Sequence, residues 1–104
     1  MAYQVKSKLE SLMLPDKDDW ASWEEFEAYH ETDTYDFKPD LKSGQAKYKS
    51  AASVFTIESG LPFVTVTYNS EADYASSVSD YQTARAAASI DRRTKQVVVS
   101  AGEV

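Results

Sequence analysis

Apolar residues recur along this chain with two different periods, and the change of period marks out its elements. Val5, Leu9, Leu12 and Met13 stand at i, i+4, i+7 and i+8, which is one face of a helix. Lys6, Lys8, Glu10 and Ser11 fill the other faces, and Pro15 closes the stretch. The spacing predicts an amphipathic helix within residues 1–14. At about 12 residues such a helix is marginal alone in water, so its apolar face must dock, on the domain or as an arm on a partner.

A second helix is expected after Pro15. Asp18 or Asp19 offers a cap, and Ser22 with Glu25 forms an alternative S-x-x-E capping box. Trp20, Trp23, Phe26 and Tyr29 then recur every third residue. That spacing drifts by about 60° per step on an α-helix, so the rings wind around half the surface and at least one of the four should lie near the rim. From Glu31 to Gly44 the pattern fades into a loop containing Pro39.

The period then shortens to two. Residues 53–58 and 63–69 are rich in β-branched and aromatic side chains, with the turn signal Ser59-Gly60-Leu61-Pro62 between them. Val64, Val66 and Tyr68 share one face, Thr65 and Thr67 the other, which predicts a half-buried antiparallel hairpin. Beyond it, Ser70 caps a helix with Asp73 three residues on, and Tyr74, Val78 and Tyr81 follow at i, i+4 and i+7. A rival reading makes Ala86–Ile90 a strand that turns at residues 91–95; residues 96–100 are a strand in either case. The expected fold is α+β: one small domain, residues 1–104, with two N-terminal helices packed on an antiparallel sheet of three to four strands, in the order ααββαβ or ααββββ.

Charge sharpens one part of this picture. Residues 15–40 hold ten of the seventeen carboxylates and six of the thirteen aromatic residues, and with only Lys17 and Lys38 in opposition they carry −8. An acidic tail that merely solvates is poor in aromatics; this stretch has the means to bury a stripe and present a negative face. The whole chain carries −6, which disfavours direct nucleic-acid binding and anionic membranes. No run approaches the roughly 20 apolar residues of a membrane span, and the N-terminus lacks a signal-like apolar run, so the expected location is cytoplasmic, with assembly into a virion as one destination.

The usual chemical motifs are missing. There is no cysteine, which excludes thiol catalysis, thiolate metal sites and disulfides. His30 is the one histidine, and no G-x-S-x-G elbow accompanies it. Asp16, Asp18 and Glu27 fall at positions 1, 3 and 12 of a calcium loop, but Trp20 and Ala21 occupy positions 5 and 6, where a ligand and a glycine belong. Three scattered glycines make no phosphate-binding loop. Lys47-Tyr48-Lys49 and Arg92-Arg93-Lys95 are short basic clusters of the size found in solvated turns. No catalytic residue, cofactor or metal ligand is assigned.

The chain therefore reads as a non-enzymatic protein-interaction protein: a small structural or assembly subunit of the virus or phage virion type, acting through its acidic aromatic helix. The alternative is an acidic nucleic-acid mimic that inhibits a basic enzyme, as anti-restriction and anti-CRISPR proteins do. The expected contact residues are Trp20, Trp23, Phe26 and Tyr29 as anchors, with Glu24, Glu25 and Glu27 steering a protein partner or another copy.

Overall fold

The computed structural model describes residues 1–12, 17–30, 46–51, 53–87 and 94–104. Among the described residues the main elements are β1 (Tyr3–Ser11), α1 (Trp23–His30), β2 (Val54–Glu58), β3 (Leu61–Tyr68), α2 (Glu71–Ala87) and β4 (Thr94–Glu103). A short 3-10 turn, Ala46–Tyr48, precedes β2. The strands form one sheet in the order β2-β3-β1-β4, with every neighbouring pair antiparallel. The class is α+β, as the sequence predicts. Among the described residues the order is β-α-β-β-α-β, two split βαβ units that interleave so that each crossover skips one strand.

The first element is the main correction. Residues 3–11 are a strand, not the amphipathic helix expected within residues 1–14, so α1 and α2 are not both N-terminal. Burial alternates strictly: Val5, Ser7, Leu9 and Ser11 turn inward, while Gln4, Lys6, Lys8 and Glu10 face the other way. Val5 and Leu9 stand four residues apart, a spacing that fits both a helix face and a strand face. Two serines at the intervening and final core positions hide the period of two. Tertiary pairing settles the matter, because β1 lies at the centre of the sheet and carries ladders to both β3 and β4.

The hairpin forms as expected but with a tighter turn. Only Ser59 and Gly60 lie outside the strands, both with positive φ (53° and 80°), the pattern of a two-residue type I′ turn. Leu61 and Pro62 therefore belong to β3 rather than to the turn. Pro62 is tolerated because the ladder of β3 with β1 ends at Phe63. Helix α2 begins as predicted, with the Ser70 hydroxyl accepting the Asp73 N–H at 3.1 Å, and residues up to 87 are helical, which decides against a strand starting at Ala86. The turn expected at residues 91–95 and the loop from Glu31 to Gly44 lie largely or wholly outside the described residues.

One face of the sheet carries the core. Val5, Leu9, Val64, Val66 and Tyr68 meet Trp20, Trp23 and Phe26 in a single buried cluster, with Tyr3, Tyr48, Phe55, Ile57 and Tyr74 packed around it. The opposite face presents Lys6 and Lys8 of β1, Phe63 and Thr65 of β3, Thr56 and Glu58 of β2, and Lys95 of β4. Lys6 pairs with Glu58 at 2.7 Å and lies over the Phe63 ring; Glu10 is shared by Lys8 (3.2 Å) and Lys95 (3.3 Å).

Candidate interaction surface

The acidic aromatic helix is built from its cap outward. The Ser22 hydroxyl accepts the Glu25 N–H at 3.2 Å, half of the expected capping box. The Glu25 carboxylate reaches back one residue further than the box requires, to the Ala21 N–H at 3.2 Å. Glu24 and Glu25 in the first turn also suit the positive end of the helix dipole. Asp18 and Asp19 lie upstream of this cap, on a segment tied to the hairpin by a bond from the Trp20 N–H to the Gly60 carbonyl at 3.0 Å.

The rings divide as their three-residue spacing predicts. Trp20, Trp23 and Phe26 are buried, and Tyr29 is the one left at the rim, 45% exposed. Trp23 stacks on Phe55 with centroids 4.6 Å apart, and its indole N–H donates to Glu27 at 2.8 Å. Trp20 meets Phe26 edge-on at 5.0 Å and Tyr29 at 5.9 Å. The two tryptophans and Phe26 thus serve the core of the isolated chain. α1 leaves Tyr29, Glu24 and Glu25 exposed. Phe55 was not foreseen as Trp23's stacking partner, because nothing local links residues 32 positions apart.

Residues 17–30 hold five carboxylates (Asp18, Asp19, Glu24, Glu25 and Glu27) against one lysine. That lysine is Lys17, which reaches Asp19 at 2.9 Å and Glu25 at 3.8 Å and lies over the Trp20 ring. The hydrogen bond with Asp19 raises the Lys17 ammonium above its ordinary range and lowers the Asp19 carboxyl below its own. Glu24 and Glu25 face solvent, and Glu27 is half-buried against Trp23.

His30 ends α1 and is fully buried. Its Nδ1 lies 2.7 Å from the Phe26 carbonyl, which only accepts, so Nδ1 carries the proton. Its Nε2 then accepts from the Ser11 hydroxyl at 2.8 Å. The histidine ties the end of α1 to the end of β1, with Phe26, Tyr29 and Trp20 rings around it. Its partner Ser11 lies 19 residues away, so the histidine's place in the core is set by the sheet rather than by its sequence neighbours.

The basic cluster at 47–49 is tied down as well. The Tyr48 hydroxyl donates to Asp80 of α2, a bond that holds its proton and raises its pKa above the ordinary tyrosine value, and Lys49 donates to Ser53 at 2.9 Å. Arg92 and Arg93 lie outside the described residues. Among the described residues, no three His, Cys, Asp or Glu side chains come together as a metal site, and no helix is long and apolar enough to cross a membrane.

Comparison with protein-family models, with curated proteins and with solved structures finds no match to this chain.

Proposed function

We propose that this protein works without catalysis, through contact with other proteins, as a small structural or assembly subunit of the kind that builds virus or phage particles. The observation that carries the reading is the two-sided distribution of charge. The helix layer turns its large rings inward and leaves Asp18, Asp19, Glu24, Glu25 and Tyr29 outward. The far face of the sheet carries Lys6, Lys8 and Lys95, which Glu58 and Glu10 largely offset, so it stays close to neutral beside the acidic helix layer. This uneven distribution of charge favours contacts between unlike surfaces, whether of two copies or of this chain and a neighbouring subunit. Trp20, Trp23 and Phe26 act by setting the shape of α1, Glu24, Glu25 and Glu27 by steering, and Tyr29 by anchoring.

The test is the mass in solution by light scattering, across a hundredfold range of concentration and at low and high salt. Mass should rise with concentration and fall with salt as charges are screened. A salt-insensitive monomer, unchanged when Glu24 and Glu25 become Lys, removes the reading.

The density of carboxylates on α1 and the segment before it supports one other reading, an acidic mimic that occupies the nucleic-acid groove of a basic enzyme. Binding to such an enzyme would weaken steeply with salt and vanish when Glu24, Glu25 and Glu27 are reversed to Lys. Survival of binding after that reversal ends this alternative.

A further inference from the structure

Exposed aliphatic side chains gather at the two edges of the sheet. Val97, Val98 and Val99 on β4 are 40%, 50% and 51% exposed, and Val54 on β2 is 54% exposed. Each edge also carries one charge of opposite sign on the lysine-bearing face, Lys95 on β4 and Glu58 on β2. A sheet edge offers a row of backbone donors and acceptors for a further strand.

The direction of the strands decides what such a strand can be. Four strands alternating in direction leave β4 antiparallel to β2. A second copy displaced along the sheet, without being turned over, therefore brings its β2 antiparallel against β4, with both helix layers on the same side.

We infer that β4 of one copy pairs with β2 of the next, joining their sheets edge to edge in a head-to-tail assembly. This rests on reading the protein as an assembly subunit. One register satisfies both faces. Lys95 stands opposite Glu58 of the neighbouring copy and Val97 opposite Thr56 on the lysine-bearing face, and Val99, which the ladder with β1 skips, comes level with Val54. Gln96 then stands opposite Ile57, and Val98 opposite Phe55, on the helix-bearing face. Lengths agree too. β2 has five residues, and β4 runs regularly against β1 over five, from Thr94 to Val98, before the ladder skips Val99. Lys95 keeps Glu10 and Glu58 keeps Lys6, so the contact would line up four alternating charges.

The bulge also disfavours the obvious rival, a two-fold pairing of β4 with itself. Lys95 pairs with Glu10 on the lysine-bearing face, while Glu103 pairs with Tyr3 on the core face, because Val99 shifts the alternation by one. A two-fold register that sets Lys95 against Glu103 puts their side chains on opposite faces of the sheet.

Sedimentation and light scattering of the full chain over a hundredfold concentration range test the inference. Wild type should grow past a dimer as concentration rises. Lys95→Glu and Glu58→Lys should each weaken association at least tenfold, and the double swap E58K/K95E should restore it. Val54→Lys, at an exposed position, should give the same loss without disturbing any ion pair, and circular dichroism should show all variants folded. Association that persists unchanged in the single variants overturns the edge pairing while leaving the assembly reading intact. Growth that stops at a dimer overturns the head-to-tail arrangement. A wild type that stays monomeric throughout overturns the pairing, and its behaviour toward Glu24→Lys and Glu25→Lys then decides the broader reading separately.

Discussion

Replacing Gly60 with alanine should cost far more than its position in a surface turn suggests. Gly60 has a φ of +80°, a region that costs an L-residue about 1–2 kcal/mol. The turn is also covered. A Cβ on Gly60 would collide with the Asp18 carbonyl oxygen and come within 3.1 Å of the Asp19 Cα, both backbone atoms with no rotamer to change. The covering segment must retreat, and its bond from the Trp20 N–H to the Gly60 carbonyl weakens or breaks, about 0.5–1.5 kcal/mol more. Trp20, only 3% exposed, is carried by the same segment, so part of its burial is lost as well. Together these give a loss of about 2–4 kcal/mol, which lowers Tm by roughly 10–25 °C in a domain of this size. Urea unfolding followed by fluorescence reports it directly, because both tryptophans are buried. The same substitution at Gly102 meets nothing within 4 Å and should change stability by no more than about 0.5 kcal/mol. A Gly60→Ala loss below about 1 kcal/mol would refute the argument that this turn is held by the segment above it.

Three further outcomes are expected. Ser77 is fully buried, and its hydroxyl lacks a hydrogen-bond partner among the described residues; it lies near enough to the Tyr68 phenol to offset slightly the upward push that burial gives that group. Ser77→Ala should therefore raise stability, by about 1 kcal/mol, in a urea titration; a loss of that size would show that the hydroxyl is bonded. Stability should also fall in acid. Glu10 is held below its ordinary range by Lys8 and Lys95, Asp19 by Lys17, and Glu58 by Lys6 and Thr56. Each depressed carboxyl stabilises the fold above its unfolded value and loses that contribution as pH drops through its lower folded value. Melting curves from pH 6 to 2 should thus decline more gently in Glu10→Gln, and an unchanged slope would remove Glu10 from this account. Leu9→Ala should cost about 2–5 kcal/mol by chemical denaturation, whereas Leu12→Ala, half exposed beyond the strand, should cost under about 1 kcal/mol. Equal losses at the two positions would suit a helix face and contradict the strand.

Where one segment of chain contains its own cause, sequence alone determined the structure. Ser22 and Ser70 cap helices with groups three residues away, and the hairpin needs only β-branched runs around Ser59-Gly60. The four aromatic residues at spacing three had to divide between core and rim, and Tyr29 is the one outside. The acidic character of α1 follows from composition, since its carboxylates have too few lysines nearby to neutralise them.

What depended on distant partners was decided only by the tertiary structure. Val5 and Leu9 satisfy both periods, and Ser7 and Ser11 conceal the strand, because a serine can be buried once its neighbours in the fold accommodate it. β1 became the central strand through Phe63–Tyr68 on one side and Thr94–Glu103 on the other, about 55 to 100 residues away along the chain. His30 became a core residue through Ser11, and Trp23 through Phe55. The split connectivity also put β2 and β4 at the two edges, and so placed Glu58 and Lys95 where neither helix periodicity nor local charge could foresee them. Hydrophobic period is a local signal. Strand pairing and burial are long-range ones, and they override it wherever the local pattern fits two structures.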